Sequence, residues 1–310
     1  MLLGQAIDSS AVLDAEDLYK YLEKKMTTYH ILYNSKSGSR IAGIEACAKQ
    51  IKKLGTANLV DVQKLESHRD FISKIPDEDV IVICGGDGTL NHYINGLRGY
   101  KYNHKVLYYP GGSGNDFYHD VREGIAPNLV DVTRFIKELP TAYINGEEYA
   151  FINGVGCGLD GYCCHMGEEK RKAKTEKVNY TAIAIKAVLF DYKPTGVTVT
   201  VDGTQHRFEN VWLSPLMQGR YFGGGMKATP NQKRDSGELS VLVFHSASKL
   251  RLLTIFPTVF RGEHIKYEKY CTVFTGKEIK ISYDLPKPVQ LDGEILPLAT
   301  DITARVYSDN

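Results

Sequence analysis

The chain has almost no net charge, no long apolar run and no cysteine framework, and each absence removes a class of protein. Its 38 Lys and Arg against 37 Asp and Glu leave a formal charge of +1. That balance gives no electrostatic reason for nucleic acid to be a main partner. No apolar run reaches the roughly 18–20 residues that a membrane-spanning helix needs. The N-terminus lacks the basic-then-apolar pattern of a secretory signal. The cysteines, Cys47, Cys84, Cys157, Cys163, Cys164 and Cys271, are too dispersed for a disulfide scaffold and read as reduced thiols of a cytosolic protein. Cys163-Cys164-His165 lacks the second ligand pair of a zinc site. Internal repeats and low-complexity segments are absent too.

What remains is an ordinary globular composition, 43% hydrophobic and 24% charged over 310 residues, better accommodated by two domains than one. Residues 1–26 stand apart. Asp14-Ala15-Glu16-Asp17 reads as the opening of a short helix, and Met26 directly precedes the first clear strand. This segment is an N-terminal extension, or Met26 is the working start.

From residue 27 the pattern is regular. Tyr29-His30-Ile31-Leu32-Tyr33 reads as a strand, and Ile41, Ile44, Ala48 and Ile51 mark a helix that Gly55 would cap. Leu59-Val60-Asp61-Val62 is a strand, and Phe71, Ile72 and Ile75 line a short helix. The β-branched run Val80-Ile81-Val82-Ile83 ends at Gly85-Gly86-Asp87-Gly88, after which Leu90, Ile94 and Leu97 have the spacing of one helical face. A glycine turn of this kind lets backbone N–H groups approach an anion, and a helix start favours negative charge. Its expected occupant is a phosphate-bearing ligand; the plain alternative is a tight turn with no ligand. Val106-Leu107-Tyr108-Tyr109 then runs into Pro110-Gly111-Gly112-Ser113-Gly114-Asn115-Asp116. Alternating strands and helices predict a parallel sheet with right-handed crossovers, whose ligands bind at the carboxyl ends of the strands. All three small-residue loops fall at such ends.

Beyond Pro140 the grammar changes. Asn145-Gly146, Asp202-Gly203 and Asp292-Gly293 are hairpin turns between short alternating strands, which predicts an antiparallel β domain. Helical stretches are expected at about 174–189 and 247–261. Residues 153–160 form another glycine-rich turn, with Asp160 either facing a substrate or capping a helix. The expected division is 1–26, an α/β domain over 27–140 and a mostly antiparallel β domain over 141–310, whose last strand could return to the first. The cleft between them should hold the site.

Asn34-Ser35-Lys36-Ser37-Gly38, Gly85-Gly86-Asp87-Gly88-Thr89-Leu90-Asn91, Pro110-Gly111-Gly112-Ser113-Gly114-Asn115-Asp116 and Leu291-Asp292-Gly293-Glu294 together resemble the diacylglycerol kinase catalytic family, in its soluble bacterial form. The glycine element is shared with NAD kinases; the other two late motifs narrow the match. The resemblance implies an ATP- and Mg²⁺-dependent lipid kinase with an NAD kinase-like first domain. Asn34, Ser35, Lys36, Ser37, Gly38, Gly85, Gly86, Asp87, Gly88, Thr89, Leu90 and Asn91 would enclose the nucleotide, and Ser113 would add a hydroxyl. Asp87 suits a hard cation, although Asp before Gly is also common turn chemistry. Glu294 is the expected general base, with Asp292 sharing or supporting that work; the bland reading is a hairpin turn with an exposed Glu.

Two departures matter. His92 stands where many relatives carry Glu. The structural magnesium site that relatives hold at an Asp-Gly pair falls here on Asp235, separated from Gly237 by Ser236, with Lys233 and Arg234 lowering local cation affinity. A lipid substrate implies peripheral visits to the membrane from the cytoplasm, and a homodimer is allowed. The basic and apolar residues of 249–261, and those around 180–189, suit an interfacial helix or, more commonly, an amphipathic helix packed on the β domain. The competing functions are a soluble kinase of NAD kinase type and a non-catalytic nucleotide- or lipid-sensing relative.

Overall fold

Alternation of apolar strands with amphipathic helices builds the first half of the computed structural model, which describes residues 27–36, 41–112, 114–122, 128–173 and 178–307. Its elements are β1 (Thr28–Tyr33), α1 (Ile41–Ile51), β2 (Thr56–Asp61), α2 (His68–Ile72), β3 (Val80–Gly85), α3 (Asp87–Gly96), β4 (Lys105–Pro110), α4 (Asp116–Val121), β5 (Val130–Asp131) and α5 (Thr133–Lys137). The strands lie in the order β2-β1-β3-β4-β5. β3 is buried along its whole length, as expected for a central parallel strand covered on both faces. The sheet is parallel from β2 to β4, but the two-residue β5 pairs antiparallel with β4. The connection between them carries α4 and returns β5 in the opposite direction, not by a parallel crossover.

The second half comprises β6 (Thr141–Ile144), β7 (Glu147–Ala150), β8 (Gly154–Cys157), α6 (Leu159–Lys172), α7 (Tyr180–Lys186), β9 (Thr195–Val201), β10 (Thr204–Val211), β11 (Leu216–Met217), β12 (Leu239–Phe244), α8 (Lys249–Ile255), β13 (Cys271–Gly276), β14 (Glu278–Leu291) and β15 (Glu294–Arg305). The main path of this sheet is β13-β12-β11-β8-β14-β15-β6-β7, with β9 joining β14 and β10 joining β9. Its strand pairs are antiparallel, and the last strand stays in this sheet, between β14 and β6. The three expected hairpin turns have positive φ at both central residues: 53° and 85° at Asn145-Gly146, 46° and 84° at Asp202-Gly203, 48° and 90° at Asp292-Gly293. That is the twist-matched turn that Asn-Gly and Asp-Gly favour.

The helices differ most from expectation. α6 begins at Leu159, directly after Gly158 at φ 103°, where the sequence suggests a glycine-rich turn with Asp160 either facing a substrate or capping a helix; Gly158 is the cap and Asp160 lies in the first turn. α6 buries Leu159, Cys163 and Gly167, an i, i+4, i+8 stripe that small residues conceal, and also Gly161 against the Pro288 backbone. α8 buries Leu252 and Ile255 and passes into a 3₁₀ turn at Pro257 with Val259 buried, so this stretch packs on the β domain. With α6 and α7 it closes a core around Trp212, whose indole N–H donates to Ala247 O at 2.8 Å. No helix among the described residues is long and apolar enough to cross a membrane. The expected N-terminal extension, 1–26, lies outside the described residues.

Candidate active site

β1, β3 and β4 end side by side, so the loops that follow them leave from the same edge of the sheet. After β1, Asp61 accepts the Ser35 N–H at 3.2 Å and Asn34 accepts the Lys36 N–H at 2.9 Å. Hydrogen bonding from Ser35 lowers the pKa of Asp61. Ser37 and Gly38, two of the expected nucleotide contacts, lie outside the described residues, as does Ser113. After β3 and β4, the glycine loops lie back to back. Gly111 donates its N–H to Gly85 O at 2.8 Å, and a Cβ on Gly112 would stand 2.4 Å from Gly86 Cα. Only glycine permits that approach. Gly86 is extended (φ −95°, ψ −172°) and no side chain caps α3, which leaves the start of this ten-residue helix suited to an anion.

The side chains of the expected nucleotide set divide. Leu90 is fully buried in the core of the first domain and Thr89 lies beneath Gly85, so both serve the loop from below. Asn91 points to the second domain, donating to Asp292 Oδ2 at 2.8 Å. His92 is exposed and rests edge-on against the His68 ring, 4.9 Å between centroids.

Asp87 is the hub of the first domain's contribution. Its Oδ2 accepts the Asp116 N–H and its Oδ1 the Phe117 N–H, both at 2.9 Å, and Asn153 Nδ2 adds a third bond at 3.1 Å. The carboxylate thus caps α4. Asp116 is buried and accepts the N–H groups of Gly224 and Gly225 at 2.8 and 2.7 Å. Burial, then the neighbouring Asp87 charge, push its pKa up to about 6. Two adjacent carboxylates in mutual repulsion fit a hard divalent cation, which binds through one or two carboxylates plus substrate phosphates. No cluster of three ligating side chains occurs among the described residues, and Asp235 is exposed on its loop.

The late turn separates its two acids. Asp292 Oδ2 accepts from Asn91 and from the Ile152 N–H (2.7 Å), while Oδ1 accepts the N–H groups of Asn153 (2.8 Å) and Gly154 (3.0 Å). Its pKa is raised by burial, with these donors opposing the rise. Glu294 is exposed, and its Oε1 would lie 3.5 Å from a Cβ placed on Gly88. A carboxylate of the second domain therefore stands at the glycine loop of the first.

By sequence, Asn153 is only the start of a glycine-rich segment. In the fold it donates through its N–H to Asp292 and through Nδ2 to Asp87, and accepts from Arg234 Nη2 at 2.7 Å. Arg234 also donates from Nε to Asp120 at 2.6 Å and lies 4.6 Å over the Phe117 ring, and Arg220 Nε reaches the other Asp120 oxygen at 2.5 Å. This Arg-Asp-Arg group joins α4 to the second domain. No short-range signal announces it. Nearby, Asp160 at the start of α6 has both carboxylate oxygens buried without a hydrogen-bond partner. Burial raises its pKa to about 6, and Gln290 offsets part of that rise without reaching hydrogen-bond geometry.

The profile described as the diacylglycerol kinase catalytic domain matches residues 28–142, and that of the YegS C-terminal NAD kinase beta sandwich-like domain matches residues 153–306. The chain belongs to the diacylglycerol kinase catalytic family. It is therefore of lipid kinase type, and its family implies nucleotide use. Within this lipid kinase family, the chain is 26% identical over 235 residues to a diacylglycerol kinase of Mycobacterium tuberculosis, covering 73% of this chain and 74% of that one. A diacylglycerol kinase of Staphylococcus carnosus is 24% identical over 283 residues, 85% and 87% of the two chains. The crystal structure of a diacylglycerol kinase from Bacillus anthracis shares the fold, with TM-score 0.57, 22% identity and coverage of 91% and 94%.

Proposed function

We propose that the protein transfers the γ-phosphate of ATP to a hydroxyl of a lipid, with diacylglycerol the first acceptor to test. The observation that carries this reading is the meeting of Glu294 with the Gly88 loop across the domains. An exposed carboxylate beside a phosphate-binding turn can take the proton of an attacking hydroxyl. Asp292 is saturated with four donors, so it holds the turn and Glu294 is the general base. Asp87 and Asp116 would hold Mg²⁺, which neutralises charge on the transferred phosphate when bound. The backbone of residues 85–88 would cradle phosphate, with residues 34–36 after β1 and 110–112 after β4 at the same edge of the sheet. Acting on a lipid, the protein works at a cytoplasmic membrane surface.

Purified protein with Mg-ATP and a panel of diacylglycerol, other hydroxyl-bearing lipids and NAD tests this. ADP release should depend on lipid and on Mg²⁺. Phosphorylation of NAD alone would transfer the protein to the NAD kinase type, and no turnover with any acceptor would make it a binding relative. Glu294→Gln should lower kcat by about 10²-fold or more while the KM for ATP changes little. An unchanged kcat would remove Glu294 from the chemistry.

A further inference from the structure

A buried-phase residue is turned outward in the helical layer of the second domain. Ile183 and Ala187 are buried on α7 and its continuation, and Phe190, three residues on, would share their face in a regular α-helix. Instead, residues Ala187–Asp191 form a π-turn, closed by the Tyr192 N–H donating to Ala187 O at 2.8 Å. The wider turn keeps Ala187, Val188 and Tyr192 buried and leaves Phe190 76% exposed. A π-turn is an ordinary way for a helix to end, and here it sets Phe190 outward.

A second exposed apolar side chain lies on the neighbouring helical segment. α8 packs against this π-turn, and Lys249 Nζ donates to Leu189 O at 2.5 Å. Phe190 and Leu250 are each one residue from the partners of that bond, and Leu250 is 75% exposed. Ile185 is exposed on the same helical segment. The two segments bearing the pair, 180–193 and 249–261, carry Lys186, Lys193, Lys249, Arg251 and Arg261; Lys186 pairs with Asp191 at 3.5 Å and Arg261 with Glu263 at 3.0 Å, which still leaves an excess of cations. Large apolar side chains set among a net excess of cations match an anionic lipid surface: the apolar tips enter the acyl boundary and the cations meet the headgroups.

We infer that Phe190 and Leu250 form an insertion pair through which the second domain docks on an anionic bilayer. The choice of occupant rests on the lipid-kinase reading; the shape and charge of the surface do not. The pair differs from an in-plane amphipathic helix, because α8 itself spends Leu252 and Ile255 on the core.

Co-sedimentation of the full chain with phosphatidylglycerol/phosphatidylcholine vesicles, without nucleotide, tests the inference. Wild type should bind these vesicles, bind pure phosphatidylcholine more weakly, and lose affinity as salt rises. The double variant Phe190→Ser/Leu250→Ser should lose vesicle affinity by about tenfold or more, with its thermal midpoint unchanged. Leu59→Ser, at an exposed residue of β2 in the first domain, should bind as wild type. Equal binding by the double variant, or no binding by wild type, overturns the proposal. So does a wild-type dimer in solution that the double variant abolishes, because a second copy then covers the face. Docking by a protein that phosphorylates no lipid supports this inference and sinks the kinase reading alone.

Discussion

Glu294 and Asp292 are two residues apart in one hairpin, yet their surroundings give them different work. Asp292 accepts four hydrogen bonds from both domains, whereas Glu294 is exposed at the glycine loop. Asp292→Ala should therefore cost stability, about 2–4 kcal/mol in urea unfolding, because it strands several donors. The contrast with Glu294→Gln, which should retain wild-type stability, separates the two roles. Asp160 supports a pH prediction. Its folded-state pKa of about 6 exceeds the unfolded value of about 3.9, so the folded chain holds a proton that the unfolded chain has released. Stability from this group accordingly falls as pH rises from about 4 to above 6. Asp160→Asn removes that loss. The variant should melt higher than wild type at pH 8, and the gap should close near pH 4; equal midpoints at pH 8 would refute it.

At the scale of elements, the glycine loops after β3 and β4 behave as one unit, since Gly86 and Gly112 touch backbone to backbone. Gly112→Ala places a Cβ against a main-chain atom that cannot rotate away. It should lower stability by on the order of 2–4 kcal/mol and weaken nucleotide binding, measurable by urea titration and calorimetry with Mg-ATP. Legibility varied among elements for local reasons. The hairpins were readable because Asn-Gly and Asp-Gly lower the cost of positive φ wherever they occur. The parallel strands were readable because their apolar runs are continuous. α6 was hidden by a stripe of Leu159, Cys163 and Gly167 that carries little hydrophobic contrast, and the π-turn before Tyr192 breaks the 3.6-residue period on which sequence reading depends.

At the scale of the whole molecule, Asp120 and its two arginines hold the domains together. The Asp120 side chain is only 3% exposed, with Arg220 and Arg234 on either side. Asp120→Ala removes the buried carboxylate that Arg220 and Arg234 share and should cost about 3–5 kcal/mol. Arg234→Lys should not rescue the arrangement, because a single ammonium cannot reproduce the fork that meets Asp120, Ile152 O and Asn153 together. Unfolding midpoints of Asp120→Ala, Arg234→Lys and wild type check both statements.

By itself the sequence determined the parallel strands of the first domain, the tight hairpin turns of the second, and the presence of three small-residue loops at strand ends. Those features follow from backbone sterics and hydrophobic period, which act over a few residues. Only the tertiary structure decided how the acids are used: Asp87 capping α4, Asp292 bridging the domains, Glu294 at the loop, and Asn153 joining the network that Arg234 and Asp120 complete. Those roles depend on which donors and charges burial brings together from positions far apart in the chain, and local residue patterns do not specify such partners.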